Sequence, residues 1–245
     1  MNDSDFLAEI LANPHDDVPR LVYADWLEEQ GNPRGEFIRI QCELDAGVED
    51  EDERNDLRVR ELDLLDEFGE EWAGPVPEMV TRHVFLRGFV EYVVMPMTEF
   101  VNKAEELIRL APIRHVMLNC YIAADTTPLA DCVQLEQLSG LILAGVDPGG
   151  IRQIFGRRSF PHLEKLVLGQ NRIGDEAVRS LANSPGLENL RMLDLSRNAL
   201  RNPSAIALAE SPYIKRLETL LLSHNEIRLT GARALANSPN FEHLK

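Results

Sequence analysis

The sequence is short of several things, and each shortage excludes a class of function. Lys and Arg number 25 against 41 Asp and Glu, a formal net charge of −16. So acidic a surface repels DNA, RNA and anionic lipid, and neither nucleic acid nor membrane is expected as a partner. The three cysteines, Cys42, Cys120 and Cys132, are odd in number and widely spaced. They form neither a disulfide framework nor a zinc site, and they suit a reducing cytoplasm. No apolar run approaches the roughly 18 residues needed to span a bilayer. The acidic opening Met1-Asn2-Asp3-Ser4-Asp5 has no basic secretory region, so a cytoplasmic location is expected.

Catalytic signatures are missing as well. The histidines are scattered, and no metal-binding HExxH, phosphate-binding glycine loop, dinucleotide fingerprint or nucleophile elbow occurs. No metal, cofactor or catalytic residue is expected. Cys120 reads as an exposed strand position with His115 on the same strand. Five residues at about 3.3 Å each hold the two too far apart to act together.

What is present falls into two regions with different periodicity. Residues 1–72 read as an all-helical domain. Asp17 followed by Val18-Pro19 marks a helix start, since proline tolerates the first turn, and Gly31 marks its end. Pro33 opens a second helical run with Phe37, Ile40, Gln41 and Leu44 at helical spacing. The acidic stretch Glu49–Glu53 reads as a solvated loop and helix start, followed by Leu57, Leu62, Leu65 and Phe68. Asp25 falls on the face of Leu21 and Val22, so it is expected to need a cationic partner, Arg34 first and Arg20 or Arg39 after it. Residues 73–88 read as a connector, with Gly74, Pro75 and Pro77 but no flexible tract.

From residue 89 to 245 the chain repeats itself. Leu163-Glu-Lys-Leu166-Val-Leu168-Gly-Gln-Asn171 recurs from Leu190 and from Leu217, each copy 27 residues after the last. Weaker copies start at Phe89, Ile113 and Leu138, and a further one opens at Leu244. The spacing LxxLxLxxN is the leucine-rich-repeat signature. It predicts an α/β solenoid, with parallel strands on the concave face and mostly helices on the convex face. The fourth and sixth positions of each copy point inward. The asparagines form a ladder at Asn171, Asn198 and Asn225, with Met97, Tyr121 and Val146 in their place upstream. Helical return legs are expected at 99–110, 175–183, 204–210 and 230–237, and less regular ones near Asp125 and Gly149.

The first 45 residues carry a family resemblance. Asn13-Pro14-His15-Asp16-Asp17, then Arg20-Leu21-Val22-Tyr23-Ala24-Asp25-Trp26-Leu27-Glu28-Glu29, then Gly31 and Arg34-Gly35-Glu36-Phe37-Ile38-Arg39-Ile40-Gln41 resemble the bacterial repeat-companion domain. That family is abundant in planctomycetes and precedes leucine-rich or other repeats. The resemblance covers residues 3 to about 45 and implies no enzymatic activity and no cofactor. The helix-bearing repeats are similar to the ribonuclease-inhibitor-like class.

A non-catalytic scaffold that binds a protein partner is therefore expected. The fifth position of each copy lies between two inward residues and so faces the concave side. In order these are Val93, Met117, Ile142, Val167, Asp194 and Leu221, with small residues in the neighbouring column and Arg197 beside Asp194. The alternative is a regulator of an enzyme, such as a GTPase activator supplying Arg197 or Arg172. The chain is expected to be a monomer, or to self-associate weakly through its C-terminal edge.

Overall fold

The computed structural model describes residues 2–120, 125–156 and 158–244. Two compact units make up the fold: Met1–Val93 with Glu105–Arg114, and Val94–Ala104 with His115–Lys245.

The first unit begins with α1 (Asp3–Ala12), α2 (Val18–Glu29), α3 (Pro33–Ala46) and α4 (Glu51–Ala73). Side chains close each helix start. Asn2 accepts the Asp5 N–H while the Asp5 carboxylate accepts that of Asn2, a capping box that the sequence reading had passed over. Asp16 accepts the Val18 N–H at 2.9 Å, and Asn32 accepts that of Arg34 at 3.0 Å. Asp50 caps Glu53 at 2.9 Å, so the acidic stretch is the start of α4, where negative charge suits the helix dipole. Phe6, Ile10, Tyr23, Leu27, Ile38 and Phe89 pack into one core. Helices α2 and α3 close on each other at Gly35, where a Cβ would stand 2.6 Å from the Ala24 carbonyl oxygen.

The stretch read as a connector holds a strand. β1 (Arg82–Leu86) and β2 (Phe89–Pro96) are neighbours, joined by Arg87 and Gly88 with φ of 51° and 87°. Two central residues with positive φ make the tight turn that matches strand twist. Gly88 also lies against α3, since a Cβ there would come within 2.3 Å of Ile38 Cγ1.

Beside this turn sits a buried ionic network. Glu91 accepts from Arg20 Nη2 at 2.6 Å, and both its oxygens accept from Arg87 Nη2 at 2.8 Å. Arg87 also donates to Asp17 at 2.5 Å, and Arg20 to the Asp16 carbonyl at 2.7 Å. The expectation for Asp25 is corrected here. Its side chain is 62% exposed and pairs with Arg39, while the buried charge on α2 is Arg20.

In the second unit, β3 (His115–Asn119), β4 (Gly140–Ala144), β5 (Lys165–Val167), β6 (Met192–Asp194) and β7 (Thr219–Leu221) pair in parallel and in sequence order. Their inward residues Val116, Leu118, Leu141, Leu143, Leu166, Leu168, Leu193 and Leu195 are buried, as alternation requires. Leu220 and Leu222 are half-buried. The fold is therefore N-terminal helices followed by leucine-rich repeats.

The return legs are α5 (Met97–Leu110), α6 (Thr127–Ala130), α7 (Pro148–Phe155), α8 (Gly174–Ala182), α9 (Asn202–Ala209) and α10 (Leu229–Ala236). Near Gly149 the expectation of an irregular leg is wrong. Asp147 caps Gly150 at 2.6 Å and Pro148 occupies the first turn, so a regular helix forms.

The copy at Phe89 is also out of register with the sequence reading. Glu91, Val93 and Met95 are buried, while Tyr92 and Val94 are half-buried. The Arg114 N–H donates to the Glu91 carbonyl at 2.9 Å, as Glu164 does to Ser139 and Arg191 does to Glu164. The inward pair is thus Val93 and Met95, one residue later than expected.

Two ladders of side-chain hydrogen bonds tie the copies together. Asn171 Oδ1 accepts from Gly145 N at 2.7 Å and Val146 N at 3.0 Å, and its Nδ2 donates to the Leu143 carbonyl at 2.8 Å. Asn198 holds Asn171 N and Ile173 N in the same way, and Asn225 holds Asn198 N and Leu200 N. Tyr121, which stands in this column upstream, lies outside the described residues. The second ladder uses the Ser-Pro pairs. Ser184, Ser211 and Ser238 donate to the carbonyls of Phe155, Ala182 and Ala209, the last residues of α7, α8 and α9, at 2.7, 2.5 and 2.6 Å.

Candidate functional site

Parallel pairing puts equivalent positions side by side, so a column in the sequence becomes a row across the sheet. Met117 pairs with Ile142, Ile142 with Val167, Val167 with Asp194 and Asp194 with Leu221. At about 4.8 Å per strand this row is roughly 19 Å long. Met117, Ile142, Val167 and Asp194 are half-buried on the solvent face, and Leu221 is 41% exposed. Val93 does not join them. It is fully buried in the first unit, and Val94 takes the half-buried place.

The rows on either side shape this face. Asn119, Ala144, Gly169, Ser196 and Ser223 form the small one, and Ser223 Oγ donates to Ser196 Oγ at 3.1 Å. Gly169 leaves room for the Asp194 carboxylate, whose Oδ2 stands 3.3 Å from where a Cβ would be. Asp194 is fixed from its own strand end by the Ser196 N–H at 2.8 Å. On the other side run His115, Gly140, Lys165, Met192 and Thr219. A Cβ at Gly140 would stand 2.2 Å from His115 Nδ1, so the absence of a side chain there lets the imidazole lie across the neighbouring strand. Beyond this row Arg191 pairs with Glu218 at 2.5 Å. The sequence reading missed this bordering row, although the third position of each copy would have found it.

Arg197 and Arg172 are both exposed at the turns that follow the strands, each with positive φ, and Arg197 Nη2 lies 3.4 Å from His224 Nε2. Cys120 is buried and not exposed as expected, and burial pushes its thiol up to about 11. That disfavours the thiolate a nucleophile needs. Among the described residues no group of three or more His, Cys, Asp and Glu side chains is placed to hold a metal. No helix of the described residues is long and apolar enough to cross a membrane.

Comparison with known proteins bears on the second unit. The Leucine Rich repeat family model matches residues 161–182, 186–209 and 216–236. Among solved structures, an internalin from Listeria monocytogenes is similar at 20% identity with a TM-score of 0.38. That similarity covers 62% of this chain and 37% of the internalin, so the chain spans little more than a third of it. No curated protein matches the sequence. The C-terminal part consists of leucine-rich repeats, which are typically protein-interaction modules.

Proposed function

We propose that the chain is a non-catalytic scaffold that binds a protein partner on the solvent face of its repeat sheet. The observation that carries this reading is the in-register row Met117, Ile142 and Val167, an apolar strip in a chain of which 27% is charged. The small row beside it leaves a trough, and Asp194, Leu221 and Arg197 supply polar and apolar contacts at its far end. A partner's side chain seated on the strip becomes the buried centre, with Lys165 and the Arg191–Glu218 pair at the rim. The N-terminal helices fit the same reading as a repeat-companion domain.

Photo-crosslinking residues placed at Ile142, and separately at Arg179 on the exposed side of α8, test the proposal in native lysate. One discrete crosslinked protein is expected from position 142 and not from 179. The combined change Met117→Glu, Ile142→Lys and Val167→Glu alternates sign across neighbouring strands, which keeps the sheet paired. It is expected to abolish that crosslink while the melting temperature stays within a few degrees. Equal crosslinking from position 179, or capture by the triple variant, would move the binding surface elsewhere.

A further inference from the structure

Arg34 has no salt-bridge partner among the described residues. Its backbone N–H belongs to the Asn32 cap, but its guanidinium makes no hydrogen bond or ion pair among the described residues, and its Nε is buried. The carboxylate expected for it, Asp25, is taken by Arg39. Its cover is the Phe89 ring, 4.9 Å from Cζ to the centroid. Burial pulls its pKa down, opposed first by Tyr23 and then by Asp3 and Glu71, and Asp3 itself receives the Tyr23 hydroxyl. An aromatic face softens a half-buried cation but leaves its buried Nε donor unsatisfied.

Arg34 stands in the wall of a cavity of about 370 Å³ within the first unit. Leu7 and Leu11 of α1, Trp72 of α4, Val90 of β2, and Leu110 and Pro112 supply much of the remaining lining. Leu110 is 41% exposed, and Arg109, also exposed, is a second cation in the lining. The volume lies at the lower end of the range of about 300–1,000 Å³ typical of small-molecule sites. A mostly apolar chamber with the half-buried Arg34 in its wall and the exposed Arg109 beside it sets the class of ligand. A cationic ligand would meet Arg34 with the same sign, and a plain hydrocarbon would leave Arg34 Nε without an acceptor. A polyanion would find in the lining only Arg34 and the exposed Arg109 for its several charges.

We propose that this cavity binds a small monocarboxylate with an apolar body, such as a medium-chain fatty acid. The carboxylate pairs with Arg34, whose planar fork suits two parallel N–H···O bonds. The hydrocarbon lies along Leu7, Leu11 and Leu110, with its edge against Trp72.

Titrating the full chain with decanoate, decanol and decyltrimethylammonium, each below its micelle concentration, tests the assignment. Trp72 lines the cavity and Trp26 does not, so tryptophan emission reports occupancy. Decanoate is expected to change the emission saturably and raise the melting temperature. Decanol should bind about tenfold or more weakly, the factor that loss of one charge-assisted pair implies. Decyltrimethylammonium should give no saturable signal. Arg34→Met is expected to weaken decanoate by a similar factor and leave decanol unchanged; should that variant fail to fold, the three-ligand comparison on the native chain decides. Absence of a saturable response to decanoate, or equal affinity for decanoate and decanol, would overturn the proposal.

Discussion

Asn198 offers the most direct measurement of what holds the repeats together. Its side chain is fully buried, and its Oδ1 accepts the N–H groups of Asn171 at 3.0 Å and Ile173 at 3.3 Å. Its Nδ2 donates to the carbonyls of Leu168 at 2.8 Å and Ser196 at 3.2 Å. Asn198→Ala affects these two sets of groups differently. The carbonyls keep other partners, since Leu168 still accepts from Asn171 Nδ2 and Ser196 from the Gln170 N–H, both at 2.9 Å. The two N–H groups lose the acceptor that closes their turn. An orphaned buried donor costs about 1–3 kcal/mol, so about 4 kcal/mol is expected for the pair. That is a large share of the roughly 5–15 kcal/mol that stabilises a domain.

Asn225 makes the equivalent bonds to Asn198 N and Leu200 N but is half-buried, so water can replace it, and Asn225→Ala should cost about half as much. Urea denaturation followed by far-UV circular dichroism gives both losses, and amide exchange should quicken first at Asn171 and Ile173. A loss for Asn198→Ala below about 1 kcal/mol, or one equal to that of Asn225→Ala, would refute the ladder argument.

Three further outcomes are expected. Glu91→Gln leaves Arg20 and Arg87 buried without their carboxylate and should cost about 3–5 kcal/mol in urea denaturation, whereas a loss near zero would show that water reaches the site. Ser211→Ala removes a buried hydroxyl that donates to Ala182 and accepts from Ile214 N at 3.0 Å, and should cost about 1–3 kcal/mol, more than Ser238→Ala, whose site is half-buried. The thiols of Cys42 and Cys120 are pushed up to about 12 and about 11 by burial, so the reactive thiolate is scarce at neutral pH and grows as pH rises. Alkylation of the folded protein should therefore be slow at pH 7 and accelerate up to pH 10; labelling at the rate of free cysteine would contradict that burial.

The repeat was legible wherever one apolar face competed with a charged one. At Leu163, Leu190 and Leu217 the inward columns are leucine in every copy, whereas the positions between them mix Glu164, Lys165, Arg191, Asp194 and Glu218 with Val167, Met192 and Leu221, so the leucine register stands out. Around β2 that contrast fails. Phe89, Tyr92 and Val94 are apolar, but so are Val90, Val93 and Met95, and either set satisfies the pattern. The choice is made by groups that hydrophobic periodicity does not weigh: the Arg87-Gly88 turn, and Glu91 drawn inward between Arg20 and Arg87. Val93 was misplaced for this reason, while Met117, Ile142, Val167, Asp194 and Leu221 fell in a single row. Asp25 was misjudged by a similar route. Helical spacing put it near Leu21, but its carboxylate reaches solvent and Arg39, and the cation that spacing had assigned to it lies in an apolar chamber instead. The Ser-Pro ladder was visible only as a recurrence, because a serine before proline reads equally well as a turn.

Both ladders run in one direction along the chain, and that gives the repeats a clock. The turn after β4 is held by Asn171, the turn after β5 by Asn198, and the end of α7 by Ser184, always by residues that come later. On a ribosome the copies of β4, β5 and β6 therefore emerge with their strand-end N–H groups and helix-end carbonyls unclaimed. They stay so until the next 27 residues have been made. At about 5–20 residues per second that interval is about one to five seconds. During it the newest copy can form its helix but cannot lock its turn. Synthesis thus proceeds as a closing front one repeat behind the exit tunnel, and a pause in translation within one copy prolongs the exposure of the copy before it.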